Sequence, residues 1–336
     1  MVTIYDIAKK TGFSVTTVSK AINNYPDVSE KTKKAILQAV DEMKYLPNSS
    51  ARTLTTKKSW TIGVVFVEPL GIGMKHPFFN EVIESFKQCV EVFEYDLLFA
   101  SRNLQNRHKS YLEHFRYRGV DGIVVVCSDV EDSQAQELMN ASIPCVVIDL
   151  NSQSSSVVFS DNLGGSKLAV EYLHSLGHKR IAHIAGHETT FAGQQRLEGY
   201  RANMKELSLE VPEDYIVSGE YFSQEGGYEA MKKLLQLKDL PTAIYAAGDS
   251  LAIGAIEAIQ EKGWSVPNDF SIIGFDDISL AKHMSPRLTT IRQQTDLIGQ
   301  RAGELLLKQI NEKRKIIEQI QIPVKLMIRD SCKNVD

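Results

Sequence analysis

The stretch Thr3-Ile4-Tyr5-Asp6-Ile7-Ala8-Lys9-Lys10-Thr11-Gly12-Phe13-Ser14-Val15-Thr16-Thr17-Val18-Ser19-Lys20-Ala21-Ile22-Asn23 decides how the N-terminus is read. Ile4, Ile7 and Ala8 recur at helical spacing behind Thr3, a residue type that caps helices. Gly12 interrupts that helix. Ser14 can cap a second, in which Val15, Val18 and Ile22 return at three- and four-residue intervals. Ser29-Glu30-Lys31-Thr32 opens a third, whose Ala35, Ile36, Ala39, Val40 and Met43 form an apolar stripe, and Pro47 stops its continuation. Helix, tight turn and a second helix starting at a serine is the pattern of a helix-turn-helix head, whose second helix enters the major groove of duplex DNA.

The charge distribution agrees with that partner. The chain of 336 residues carries a net charge of -4, which as an average argues against nucleic acid. Residues 1–58, however, hold nine Lys and one Arg against five Asp plus Glu, a balance of +5, so the remainder carries -9. A basic head on an acidic body is expected of a small DNA-binding module joined to a domain with another task. The polar segment Asn48–Lys58, with one exposed-looking leucine, is at most a marginal helix alone and reads as a linker or hinge. Apolar runs of about five residues are far short of the ~20 needed to span a bilayer. No apolar signal-peptide core opens the chain, and Cys89, Cys127, Cys145 and Cys332 form no Cys-x-x-Cys pair. Free thiols in a reducing cytoplasm, with no membrane partner, are the expectation.

From Trp60 onward short β-branched runs alternate with amphipathic helices. Strands are expected at 62–67, 96–101, 122–127, 145–149, 156–160, 181–186, 215–219, 242–246 and 270–275, and helices at 79–93, 162–176, 194–208, 224–236 and 250–262. Such alternation builds parallel sheets with helices on both faces. Nine or ten strands suggest two sheets with a cleft between them, and ligands of such sheets bind beyond the carboxyl ends of strands.

Several motifs, weak singly and specific together, then occur in order: Thr3-Ile4-Tyr5-Asp6-Ile7-Ala8, Thr17-Val18-Ser19-Lys20-Ala21-Ile22-Asn23, Tyr45-Leu46-Pro47-Asn48, Ala51-Arg52-Thr53-Leu54, Arg196-Leu197-Glu198-Gly199-Tyr200, Ile273-Gly274-Phe275-Asp276-Asp277 and Pro286-Arg287-Leu288-Thr289-Thr290-Ile291. Over essentially its whole length the chain resembles the LacI/GalR transcriptional repressors. The resemblance implies an all-α helix-turn-helix head (1–46), a hinge helix (47–59), and an α/β two-lobed periplasmic-binding-protein-like effector core with parallel sheets. One lobe would comprise 60–160 plus 293–322 and the other 161–292 plus 323–336.

It further implies that Val15, Thr16 and Lys20 face base edges. A lysine can donate to guanine acceptors, a threonine can bond either member of a pair, and a valine can touch a thymine methyl; Val15 also fits core packing. Thr3, Tyr5, Thr17, Ser19, Asn23, Tyr45, Asn48 and Ala51 belong to the same implied DNA surface, largely as phosphate contacts that position without reading sequence. Leu54 aligns with the family's wedge leucine, which unstacks a base step from the minor groove. The effector cleft would be walled by Phe78, Phe79, Asp149, Asp161, Arg196, Phe222, Asp249 and Asp276, a set suited to a sugar or sugar derivative. Aromatic faces stack on C–H-rich rings, while carboxylates and guanidinium bond hydroxyls. Phe79 and Phe222 also fit a core reading, and Asp149 and Asp161 a turn or cap.

The resemblance implies a homodimer on a near-palindromic operator, a function without enzymatic activity, and no cofactor. Two features depart from the family's pattern: a longer loop at 68–76, and Gly248 where relatives place a polar group. Thr190 and Ala192 stand where purine-binding members carry arginine and threonine, so a purine effector is not expected. Some members answer to a phosphorylated phosphocarrier protein instead, which is the alternative partner. Gly248-Asp249-Ser250-Leu251 spells a serine-hydrolase signature, but no histidine follows an Asp by three residues. His174/His178 and His183/His187 are spaced like zinc ligands but lack a clear third ligand, so no metal is expected. The C-terminal end carries no leucine heptads that would build a tetramer.

Overall fold

In the computed structural model, residues 2–46, 58–67, 72–100, 110–126 and 132–335 are described. They fall into two compact units, Met1–Ser59 and Trp60–Asp336.

The first unit contains α1 (Ile4–Thr11), α2 (Val15–Ile22) and α3 (Glu30–Glu42). Its core is Ile7, Val18, Ala21, Ile36 and Ala39, with Phe13, Val28 and Tyr45 packed around it. Each helix start is satisfied locally. The Asp6 carboxylate accepts from the Thr3 N–H and hydroxyl, both at 2.8 Å. Ser14 Oγ accepts from Thr17 N–H (3.1 Å) and Ser29 Oγ from Thr32 N–H (3.2 Å). Gly12 ends α1 at φ 74°, a left-handed conformation that permits the abrupt turn.

The second unit holds two six-stranded sheets. The first is built from β1 (Thr61–Phe66), β2 (Asp96–Phe99), β3 (Gly122–Val126), β4 (Cys145–Ile148), β5 (Ser156–Ser160) and β11 (Gln319–Ile322), in the order β11-β5-β4-β3-β1-β2. The second is built from β6 (Ile181–Ala185), β7 (Ile216–Ser218), β8 (Ala243–Ala246), β9 (Ser271–Asp276), β10 (Thr289–Arg292) and β12 (Lys325–Met327), in the order β12-β10-β9-β8-β6-β7. All described pairings are parallel except β10 with β12. The parallel α/β core expected from the alternation is thus the observed one. Helices α4 (Pro77–Glu91), α7 (Asn162–Ser175), α8 (Phe191–Glu206), α9 (Gln224–Leu234) and α10 (Asp249–Glu261) occupy the expected stretches, and α5 (Tyr111–Arg118), α6 (Ser133–Asn140) and α11 (Thr295–Glu312) add to them.

The chain passes between the sheets three times: from β5 to α7, from β10 to α11, and from β11 to β12. Side chains tie these crossings together. Asp161 Oδ1 accepts from Gly164 N–H and from Gln321 Nε2, both at 2.9 Å, and Asp161 N–H donates to Ile322 O (2.8 Å). Gln294 Nε2 donates to Pro323 O (2.7 Å). The second crossing returns α11 to the first lobe, where Ile298, Ala302, Leu305, Leu306 and Ile310 join the core with Val82, Phe86 and Val90 of α4. The two helices approach to backbone contact at Gly299, where a Cβ would lie 2.5 Å from Val82 O and 2.6 Å from Phe86 N. A Gly299→Ala substitution forces them apart and is expected to destabilise the unit by about 1–3 kcal/mol. Denaturant unfolding checks this; an unchanged midpoint would show that the helices separate without cost.

Candidate functional site

In the head, the buried side of α2 presents Val18 and Ala21 to the core. The opposite stripe, at helical intervals, is Thr16, Ser19, Lys20 and Asn23; Thr16 is exposed and the others half-buried. The Thr17 hydroxyl is 2.8 Å from that of Ser14, and Asn23 Nδ2 donates to Ser19 O (2.8 Å). Lys20 Nζ pairs with the Asp27 carboxylate. Tyr5 is 71% exposed. Val15 is half-buried and Tyr45 packs on the head core, so for Tyr45 only part of the side chain remains to meet a partner. Asn48, Ala51 and Leu54 lie outside the described residues.

In the second unit, one constellation gathers at strand ends around Arg196, which is 3% exposed. Its Nε donates to Asn162 Oδ1 (2.9 Å), and its Nη1 donates to Ala247 O (2.6 Å) and lies 3.4 Å from Asp276 Oδ1. The guanidinium lies 3.7 Å over the Phe275 ring centroid and 5.7 Å from that of Phe222. Gln293 Nε2 donates to the same Asp276 oxygen (2.7 Å). Asp149, Phe222 and Asp276 adopt positive φ (58°, 64° and 119°), a conformation that non-glycine residues hold only when their surroundings impose it and one that clusters at functional sites. The Phe222 ring lies against glycine backbone. A Cβ at Gly186 would fall 2.1 Å from its Cζ, and one at Gly248 would fall 3.1 Å from its Cδ1 and 3.6 Å from Asp276 Oδ2. This accounts physically for the glycine at 248: a side chain there would crowd the ring and the carboxylate.

The electrostatics are those of a site short of partners. Burial pushes the Asp276 carboxyl up to about 6, against the attraction of Arg196. Burial also raises Asp149, again opposed by Arg196. Gln293 Oε1 is a buried acceptor without a hydrogen-bond partner, and Asp149 Oδ1 and Asn162 Nδ2, near enough that the amide favours the ionised Asp149, likewise lack one of good geometry; such atoms are rare unless a ligand or water completes them. Donors and acceptors therefore coexist in one place beside an aromatic face.

Not every expected effector residue joins this group. Asp249 is fully buried, with Oδ1 accepting from Thr290 Oγ1 (2.5 Å) and Oδ2 from Ile278 N–H (2.9 Å); its carboxylate braces the loop after β9. Asp161 is engaged at the crossings, the cap role its sequence left open. Phe78 is 5% exposed within the first-lobe core, and Phe79, 7% exposed, stacks among Phe66, His76 and Phe78. Asn162, Phe275 and Gln293 were not singled out from sequence. The signal available for Asn162 and Gln293 was their place just beyond a strand.

The decoy motifs have other employment. Ser250 lies in the first turn of α10. His178 bonds Thr242 and Ser271 across 2.9 and 3.0 Å, and His183 stacks between Tyr200 and Tyr245. Among the described residues no three His, Cys, Asp or Glu side chains group as metal ligands, and no helix is long and apolar enough to cross a membrane.

Comparison with known proteins places these two surfaces in context. The family of bacterial regulatory proteins, lacI family, matches residues 3–48, and the periplasmic binding protein-like domain matches residues 170–332. The chain is 36% identical to the "Probable HTH-type transcriptional repressor ExuR" of Bacillus subtilis, covering 100% of this chain and 99% of that one. The chain belongs to the lacI family. It is 37% identical to the HTH-type transcriptional repressor PurR of Pasteurella multocida over 99% of each chain. These relatives are DNA-binding repressors, not enzymes, and this lacI family chain is likewise a transcriptional repressor. Among solved structures, the lac repressor dimer bound to operator and an anti-inducer superposes with a TM-score of 0.83 at 27% identity, covering 99% of each chain. The regulator CelR in complex with cellobiose gives 0.72 at 28% identity, covering 98% of this chain and 100% of that one.

Arg196 is the only cation in hydrogen-bond reach of Asp276 among the described residues. Arg196→Ala would strand buried carboxyl groups and is expected to destabilise the second unit by about 3–5 kcal/mol. Thermal unfolding of the full chain reads the loss; a shift below about 1 kcal/mol would mean that Asp276 is stabilised chiefly by Gln293 and water.

Proposed function

We propose that this repressor binds a near-palindromic operator as a homodimer and releases it when a carbohydrate-like effector occupies the cleft around Arg196 and Asp276. The observation that carries the effector class is the convergence of incompletely satisfied acceptors (Asp149 Oδ1, Gln293 Oε1) and an amide donor (Asn162 Nδ2) beside the Phe222 ring. A polyol offers donor and acceptor hydroxyls together with a C–H face, and so matches this set better than a purely apolar or purely charged ligand. CelR with its cellobiose supports the reading by likeness, as the lac repressor dimer on its operator supports the symmetry. The two lobes share three tied crossings, so an effector that prefers one lobe arrangement shifts its population and, through the segment 47–59, the readiness of two heads to engage two half-sites. Coupling of this kind amounts to ~1–3 kcal/mol and is reciprocal.

The deciding experiment is thermal unfolding of the full chain against sugars, sugar acids, sugar phosphates and nucleobases. A ligand at 100 times its dissociation constant adds ~2.7 kcal/mol, a readable shift. One selective hit that also releases DNA supports the reading. Silence across the panel, with binding to a phosphorylated phosphocarrier, would replace it.

Asp276→Ala is expected to abolish the effector response while operator affinity persists; an intact response would move the effector elsewhere. Hydroxyls donate to the ionised carboxylate, so the effector favours the deprotonated Asp276. Effector affinity should therefore be full above pH ~6 and fall by up to about tenfold per unit below it. A titration flat between pH 5 and 7.5 would contradict this.

A further inference from the structure

We infer that Asp27 is a specificity gate for Lys20: its carboxylate holds the ammonium in the free head and yields it only to a correctly placed guanine edge. The inference deepens the operator-binding reading above and rests on it, since it takes Lys20 to face the bases.

The pairing is imposed by backbone. Tyr25 N–H donates to Lys20 O (3.0 Å), tying the loop between α2 and α3 to the end of α2. Val28 N–H reaches back to Tyr25 O (3.4 Å), and the Val28 side chain packs on the head core. Asp27 is held between these anchors, and the Lys20 ammonium lowers its carboxyl below the usual range. The same loop engages a second lysine, Lys33, through Asn24 Oδ1. Asp6 is engaged by Thr3 and Glu42 by Lys10, while Asp27 is the acid whose carboxylate pairs with Lys20 on the polar stripe of α2.

An acid on a DNA-facing surface opposes phosphate, yet here it neutralises a base-reading cation. The pair is exposed, with side chains 41% and 53% accessible, and ion pairs of that kind are weak. A guanine presenting two aligned acceptors displaces it; a phosphate at arbitrary register gains little over the carboxylate already in place. Asp27 thus suppresses the sequence-independent part of binding more than the specific part, as specificity by disfavouring wrong partners requires.

The test uses the full chain with Asp27→Asn, Lys20→Ala and the double variant. Each is titrated on a duplex selected from random sequence by the unsubstituted protein, and on an alternating A·T duplex of equal length. Asp27→Asn is expected to tighten A·T binding about three- to tenfold and to steepen its salt dependence by about one phosphate, with little change on the selected duplex. In the Lys20→Ala background the same substitution should tighten A·T binding clearly less, by the relief of charge repulsion alone, because the cycle isolates the pair. Equal tightening in both backgrounds would mean simple loss of charge repulsion and would overturn the gate, as would no tightening. A Lys20→Ala protein that selects an unchanged motif would overturn the base-reading premise itself. Asp27→Ser serves as a second variant should the asparagine alter the thermal midpoint.

Discussion

The buried guanidinium of Arg196 is the interaction on which the second unit turns. From one side chain on α8 it reaches Asn162 at the start of α7, the carbonyl of Ala247 after β8, and Asp276 at the end of β9, while lying flat on Phe275. A lysine could not do this, because the task needs a planar fork with several fixed donors. Burial raises both Asp149 and Asp276, and with Arg196 opposing it Asp276 is still pushed up to about 6.

Much of this could be read from the residues. Apolar spacing of three and four located the three head helices and short β-branched runs located nine strands, and caps such as Thr3, Ser14 and Ser29 stood where the caps were found. The helices Tyr111–Arg118 and Ser133–Asn140 were harder, because α5 is crowded with charge and α6 is mostly polar, so neither shows a strong apolar stripe. The helix Thr295–Glu312 carried a clear stripe at Ile298, Ala302, Leu305 and Leu306. Its return to a lobe left more than a hundred residues earlier is recorded by no local pattern, and only the family resemblance, which placed 293–322 there, pointed to it.

The site was legible by residue type and less so by role. Arg196, Phe222, Asp149 and Asp276, which the family resemblance implied as part of one wall, meet around the Arg196 guanidinium. Asp249 and Asp161 have the same chemistry, but the fold uses it inward, on a loop amide and on a crossing. Sequence displays a carboxylate without its direction; direction comes from backbone, here from the positive φ of Asp276 and Asp277. Gln293 and Asn162 are amides of a common kind, given meaning only by what the crossings place beside them.

The return of α11 and β11 to the first lobe also sets the order of events during synthesis. All three head helices have emerged once residue 46 is made, and their shared core of Ile7, Val18, Ala21, Ile36 and Ala39 draws on no later residue, so the head can fold early. The first lobe cannot close until Ile322 is made, long after its first strand, and it waits with the faces of Val82, Phe86 and Val90 uncovered. For most of translation, a nascent chain of this repressor therefore carries a folded head ahead of an unfinished second unit. A chaperone acting during that interval would have the uncovered faces of Val82, Phe86 and Val90 to shield, and not the head core.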